Sequence, residues 1–342
     1  MAPTAALVEA SGLVKEFRRP RKAPGLAGAL RHLVTRRFDV HRAVDGIDLR
    51  VDEGESVAYV GPNGAGKSTT VKLLTGILVP TAGEVRVAGV VPHRDRVANA
   101  RNVGVVFGQR TQLWWDLPVQ DTFELLRDMY RIPAADYRRS MDRLCEVLEI
   151  GPLLPVLARK LSLGQRMRAD LAAALLHEPR IVYLDEPTIG LDVSVKDRVR
   201  AFLRQLVADG TTVLLTTHDV GDIEEVCRRI VVVDEGRIRH DGPVDVLRDT
   251  LAGHSTVRFQ LAAPAPLELI RQHLPDAEVS AGAGERDLVV RFDRTLRPAG
   301  AVAAAVMGLV EVRDLRIDDE GVADLIRRLH ERDSPAALTG AG

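Results

Sequence analysis

The run Gly61-Pro62-Asn63-Gly64-Ala65-Gly66-Lys67-Ser68-Thr69 follows the apolar stretch Ser56–Val60 and precedes the helix-patterned Val71–Leu74. No other stretch limits more strongly what this chain can fold into. Glycines at 61, 64 and 66 let the backbone curl until successive N–H groups point inward at a polyphosphate. Lys67 then reaches the β- and γ-phosphates, and the Ser68 hydroxyl is available to Mg²⁺. The helix that starts here turns the positive end of its dipole to the same anion.

Downstream, short apolar runs alternate with helix-patterned segments, which predicts an α/β fold with a parallel sheet. Val103–Phe107 ends at Gly108-Gln109, Ile181–Leu184 runs into Asp185-Glu186, and Thr212–Thr216 ends at Thr217-His218-Asp219. Acids at the end of a buried strand suit two tasks: Asp185 can hold Mg²⁺, usually through water, and Glu186 can orient and polarise an attacking water. Between these strands a helical region from Val119 to Ile150 is broken at Pro133, and Leu161-Ser162-Leu163-Gly164-Gln165 opens a helix to His177 that Pro179 ends.

Past Gly253 the pattern becomes β-α-β-β-α-β up to Ile317, the order of a ferredoxin-like unit. A helix over Gly321–Arg332 and a flexible tail over 333–342 complete the reading, with no catalytic constellation in this part. The expected division is therefore 1–253, 254–332 and 333–342, and 342 residues suit about two domains.

A formal net charge of -1 with 28% charged residues argues against a whole-protein nucleic-acid binder, and no nucleic-acid partner is expected. Cys145 and Cys227 lack metal-site spacing and fit a reducing cytoplasm. The first residues do not read as a signal peptide. The weakly polar run Ala299–Val310 is too short to cross about 30 Å of hydrocarbon, so any membrane role must come through a partner. From Arg18 to Arg42 eight Arg or Lys face one acid, Asp39, with Leu26, Leu30, Leu33 and Val34 on one helical face. That segment is a solvated insertion between two strands or a docking element for a membrane surface or a partner; a nucleic-acid role is the weakest option, since no aromatic residue interleaves the charges before Phe38. Trp114 and Trp115, the only tryptophans, serve either core packing or an interface pocket.

The ordered set resembles the nucleotide-binding subunit of ATP-binding cassette (ABC) transporters over about Val8 to Leu251. Its Walker A motif is Gly61–Thr69, its Q-loop glutamine Gln109, its signature Leu161–Gln165 and its Walker B motif Ile181–Glu186. The D-loop aspartate is Asp192, the switch histidine His218, and the aromatic A-loop position Phe17. Ser162 precedes Asp185 by 23 residues. The resemblance implies a P-loop NTPase cassette with a RecA-like core, antiparallel β and helical subdomains, and a small C-terminal α+β domain. It implies ATP and Mg²⁺, with Ser68, Gln109 and Asp185 toward the metal and Phe17 stacked on the base. Gln109 would also touch the attacking water, His218 the γ-phosphate, and Asp192 the dimer interface. Ser162, Gly164 and Gln165 would bind ATP held by the opposite subunit, so turnover needs a homodimer or heterodimer.

The signature departs from the commonest form, since Leu163 replaces a glycine; Phe17 replaces a frequent tyrosine. The stretches GQRTQLWWDLP and DEPTIGLD look closest to ABC-2-type exporter ATPases. The expected function is an ATP-hydrolysing motor, peripheral on the cytoplasmic face of the cell membrane, that drives an integral-membrane permease, most readily for export. Alternatives are an importer ATPase and a soluble ABC ATPase acting on ribosomes or nucleic acid. The single cassette and the lack of a long coiled coil between Walker A and Walker B weigh against the latter.

Overall fold

The computed structural model describes residues 6–20, 38–108, 110–246, 254–282, 284–294 and 296–319. Gln109, the amphipathic pattern of the basic segment, the helix expected over 321–332 and the tail lie outside the described residues. The chain divides into two compact units between Gly242 and Pro243.

In chain order the first unit contains β1 (Ala6–Pro20), β2 (Phe38–Asp52), β3 (Ser56–Val60), α1 (Lys67–Leu74), β4 (Ala82–Val87), α2 (Arg96–Asn102) and β5 (Val103–Phe107). Then come α3 (Val119–Tyr130), α4 (Ala134–Leu148), α5 (Leu163–Leu175), β6 (Ile181–Asp185), α6 (Val193–Ala208), β7 (Thr212–Thr216), α7 (Val220–Val226), β8 (Arg229–Asp234) and β9 (Arg237–Pro243). One sheet has the order β5-β6-β7-β3-β8-β9, with every pair from β5 to β8 parallel. All five residues of both β3 and β7 are buried, as a strand covered on both faces requires. The turn from β8 to β9 puts Glu235 and Gly236 at φ 47 and 77, the mirror-image turn that suits a hairpin's twist.

A second sheet, β2-β1-β4, is antiparallel. Its inward side chains, among them Leu7, Leu13, Ile47 and Val85, share a core with Val57, Tyr59, Leu73 and Tyr183. The hairpin of β1 and β2 runs further into the basic segment than composition suggests, with Arg18 opposite Val40 and Arg19 opposite Asp39. Backbone pairing, which ignores side-chain charge, carries the strands there. Arg42 is bound to Glu16 and Asp45 at 2.8 Å each rather than presented as a free cation.

Pro133 separates α3 from α4 as expected. On α4, Ser140, Leu144 and Leu148 recur every four residues and form its buried face. In α5 the run Ala169–Leu175 is buried throughout, Asp170 included.

The second unit holds β10 (His254–Leu261), α8 (Leu267–His273), β11 (Ala277–Ala281), β12 (Asp287–Asp293), α9 (Ala299–Met307) and β13 (Val312–Asp319). Its sheet order is β11-β12-β10-β13, all antiparallel. β12 thus lies between β10 and β11, the split βαβ arrangement of the ferredoxin-like order. Leu288, Val290 and Phe292 alternate along β12 and pack with Val257, Phe259, Ile270 and Val302.

Candidate nucleotide site

The carboxyl ends of β3, β5, β6 and β7 lie side by side in one sheet, so the loops that leave them meet in one crevice. Gly61 to Gly66 leave β3 and lead into α1. Gly66 caps α1 in the left-handed region, φ 100, and a Cβ there would overlap the Ala43 carbonyl oxygen. A Cβ on Gly61 would likewise overlap the Val233 carbonyl oxygen, whereas Gly64, φ 89, has open space. The loop is braced from outside as well: Gly236 N–H donates to the Ala65 carbonyl at 3.1 Å, and Asp45 N–H to the Gly236 carbonyl at 2.9 Å. Ala65 and Gly66 are buried; Asn63 and Gly64 are exposed, while Pro62, Ser68 and Thr69 are intermediate.

Lys67 is 7% exposed, and its ammonium donates to the carbonyls of Gly61 at 2.6 Å and Pro62 at 3.1 Å. Burial lowers its pKa, and the nearby charges of Glu186 and Asp185 oppose that shift. Asp185 Oδ1 accepts from Ser68 at 3.2 Å and from Thr216 at 2.6 Å, which draws the ends of β6 and β7 to the start of α1. A hydroxyl and a carboxylate in register form a hard-oxygen pair that suits Mg²⁺ beside a polyphosphate. The cradle that a Cβ at 61 or 66 would fill matches the close backbone approach that phosphate needs.

Glu186 sits at φ 57, a conformation rare for a residue with a side chain, and its N–H donates to the Thr216 carbonyl at 3.0 Å. Its Oε1 lies 3.0 Å from Nε2 of His218. Burial raises the Glu186 pKa, His218 and Lys67 pull it back, and Asp185 adds to the rise. Gly108, the last described residue before Gln109, donates to the Asp185 carbonyl at 2.7 Å, and a Cβ on it would press on the carbonyls of Asp185 and Glu186. Phe17 is half-buried in β1 opposite His41, with the Lys15 ammonium 5.5 Å from its ring centre. β1 continues three residues beyond it, so Phe17 does not end the strand.

Ser162, Gly164, Gln165 and Asp192 form a separate cluster; among the described residues no hydrogen bond links them to the first group. Ser162 and Gln165 close a reciprocal capping box at the start of α5. Gly164 faces Val195, whose Cγ1 would be 3.2 Å from an added Cβ, and Leu163 lies against Gly190. Asp192 caps α6, accepting from Val195 N–H at 2.9 Å and Ser194 Oγ at 2.8 Å, and these bonds hold its pKa down. The turn at Ser162 and the turn at Asp192 thus lie together, with Ser162, Leu163 and Asp192 exposed and Gly164 and Gln165 half-buried.

Trp114 and Trp115 are 42% and 51% exposed, which removes the core-packing reading. The loop that carries them is fixed by Asp170, 5% exposed, which accepts from Thr111 Oγ1 and Gln112 N–H at 2.9 Å each. Sequence reasoning missed Asp170; its one signal is a charged residue inside the run Ala169–Leu175. Burial pushes its carboxyl up to about 6 from 3.8, against the pull of Gln112, Thr111, Arg166 and Leu113. An acid whose folded pKa is raised favours the fold while protonated, so this contribution is full below pH 4 and is lost as pH rises to about 6. The swing is about 3 kcal/mol at order of magnitude. Melting curves from pH 4.5 to 7.5 should show the parent chain gaining on Asp170→Asn as pH falls through 6. Parallel curves would contradict this assignment.

Fold and crevice define a P-loop nucleotide hydrolase of the cassette type, with its phosphate loop, paired acids and signature turn on separate strand and helix ends. The ABC transporter family model matches residues 44–189. The chain is 38% identical over 218 residues to the daunorubicin resistance ATP-binding protein DrrA3 of Streptomyces coeruleorubidus, covering 64% of this chain and 69% of that one. It is 35% identical over 253 residues to the Nod factor export ATP-binding protein I of Paraburkholderia xenovorans, covering 74% and 82%. A dimeric ATP-binding cassette solved in a post-hydrolysis state with ADP and Pi superimposes with a TM-score of 0.58 at 25% identity, covering 69% of this chain and 98% of that one. The chain belongs to the ATP-binding subunits of ABC transporters and is an ATP-hydrolysing enzyme. Among the described residues no helix is long and apolar enough to cross a membrane.

Proposed function

We propose that the chain is the cytoplasmic ATPase of an exporter, working as a dimer on separate membrane-spanning subunits. The observation that carries this reading is the split of the site into two clusters. One holds the phosphate loop, the Ser68–Asp185 pair and Glu186 beside His218; the other holds an exposed Ser162 with Gly164 and Gln165 half-buried next to it, and no hydrogen bond joins the two among the described residues. Two copies, or this chain and a relative, complete each other's sites. The names of the similar drug-resistance and Nod factor proteins favour export.

In the working site Phe17 stacks on the adenine, and the backbone N–H groups of Asn63–Thr69 surround the phosphates. Lys67 leaves its carbonyl partners for the β- and γ-phosphates. Ser68, Asp185 and Gln109 would hold Mg²⁺, which neutralises phosphate charge. Glu186 accepts a proton from water as the water oxygen bonds to the γ-phosphorus and the bond to the ADP oxygen breaks. His218, beside Glu186, contacts the γ-phosphate, Asp192 lines the dimer face, and Trp114 with Trp115 receives the membrane subunit.

Tagged full-length Glu186→Gln protein, incubated with native membranes with and without ATP, tests the assembly. A multi-span membrane protein should be recovered, and the double substitution Trp114→Ala with Trp115→Ala should lower its yield at least about tenfold, as loss of a buried aromatic anchor implies. Ribosomes or nucleic acid recovered in its place would overturn the reading.

A further inference from the structure

A buried carboxylate outside the recognised motifs joins the two loops that carry Glu186 and His218. Asp222, in the first turn of α7, is 1% exposed. Its Oδ2 accepts from Thr188 Oγ1 and from Thr217 Oγ1, the latter at 2.8 Å, and its Oδ1 accepts from Arg200 Nε at 2.7 Å. Thr188 lies two residues after Glu186 and is 3% exposed; Thr217 lies immediately before His218 and is 1% exposed. One carboxylate therefore bridges the loop after β6 to the loop after β7, directly behind the 3.0 Å contact between the two reacting-site side chains.

The bridge is itself held in place. Thr217 Oγ1 also accepts from Asp219 N–H at 3.0 Å, so its proton is left for Asp222. Arg200, on α6, adds a second contact to Asp219 Oδ1 at 2.8 Å, and Asp219 Oδ2 accepts from Lys196 at 2.7 Å. The guanidinium lies over Gly221: a Cβ there would stand 2.8 Å from Arg200 Cζ, so a side chain at 221 would displace it. Every polar atom of this cluster has a partner, which is the condition under which a buried network fixes one arrangement instead of several. A surface helix cap needs neither the depth nor the third donor.

We propose that Asp222, acting through Thr188 and Thr217, is a positioning residue for hydrolysis: it sets the spacing between Glu186 and His218. This rests on the reading of those two residues as base and γ-phosphate contact. Thr188, Thr217, Asp222 and Arg200 lie outside the phosphate loop and the Ser68–Asp185 pair, so loss of the bridge acts first on the chemical step and leaves in place the nucleotide affinity that those groups supply. A displacement near 1 Å at a reacting group costs on the order of 10²-fold in rate.

The test uses the full-length chain with Thr217→Val, Thr217→Ser, Thr188→Val and Asp222→Asn, beside the parent and Glu186→Gln. Valine keeps the shape of threonine and removes the hydroxyl; serine keeps the hydroxyl. Steady-state turnover, affinity for a non-hydrolysable ATP analogue by calorimetry, and melting temperature are measured for each. Both valine variants should lose about 10–100-fold in kcat with analogue affinity within about twofold, and Thr217→Ser should recover most of the rate. Asp222→Asn should show the same split; if it does not fold because Arg200 loses its buried carboxylate partner, the threonine variants decide. Full turnover in both valine variants, or affinity falling in step with kcat, overturns the proposal. Glu186→Gln separates the two readings: turnover that it does not lower removes the base assignment, whereas an inactive Glu186→Gln beside fully active valine variants removes only the bridge.

Discussion

Replacing Glu186 by Gln is expected to lower ATP turnover by about 10²–10⁴-fold while ATP binding persists, because a positioned general base contributes on that scale. Glutamine keeps the volume and can still meet His218 Nε2, so the left-handed turn at φ 57 and the bond from Glu186 N–H to the Thr216 carbonyl have no reason to change. What disappears is the acceptor for the water's proton. The variant should therefore accumulate as an ATP-bound dimer, visible as an ATP-dependent shift in light scattering after gel filtration. The pH dependence provides a second check. Burial raises the Glu186 pKa above the ordinary 4.5, with Asp185 in the same direction and His218 and Lys67 against it. A base works only when ionised, so kcat/KM, which follows the free enzyme, should rise with pH through an acid limb whose midpoint lies above 4.5. Unchanged turnover in Glu186→Gln would take the proton-acceptor role from this residue.

The parts of this site that were legible in the sequence are those in which local chemistry dictates local geometry. Ser56–Val60, Ile181–Leu184 and Thr212–Thr216 are too short for helices and apolar on both faces, so they become central strands, and whatever follows them enters the crevice. Ser162 and Gln165 stand three apart at a helix start and form the capping box that this spacing favours. Asp170 and Asp222 were not legible, because partners that reveal them lie far off in sequence: 59 and 58 residues from Asp170 to Thr111 and Gln112, and 34 from Asp222 to Thr188, even though Thr217 is five away. Within their own helices they resemble solvated acids, and only tertiary packing shows that they are buried. For the tryptophans the sequence leaves core packing and an interface pocket open; the loop is anchored from below by Asp170 and by Arg159 N–H to the Trp115 carbonyl at 3.1 Å, which leaves both rings about half exposed and removes the first reading.

Gly66→Ala should weaken ATP binding by at least about 10²-fold, through the backbone alone. At φ 100 a side chain costs about 1–2 kcal/mol from conformation. The added Cβ would also overlap the Ala43 carbonyl oxygen, in β2, and that strand is fixed by its pairing with β1 and by Asp45 N–H on Gly236. Since backbone carbonyls cannot swing aside as a flexible side-chain end can, the turn at Gly66 is the part that moves. Its displacement tilts the first N–H groups of α1 away from the phosphates and takes Lys67 with them. Hydrogen bonds to charged groups are worth about 1.5–3 kcal/mol each, so losing two weakens binding by about 10²–10⁴-fold. Gly64→Ala is the matched comparison, because Gly64 is also left-handed at φ 89 but has nothing within 4 Å of an added Cβ. It should bear only the conformational cost and keep binding within about thirtyfold, again by calorimetry with the non-hydrolysable analogue. Circular dichroism on both variants shows whether the sheet is intact. If Gly66→Ala binds as tightly as Gly64→Ala, the contact with Ala43 does not hold the loop in its phosphate-binding shape.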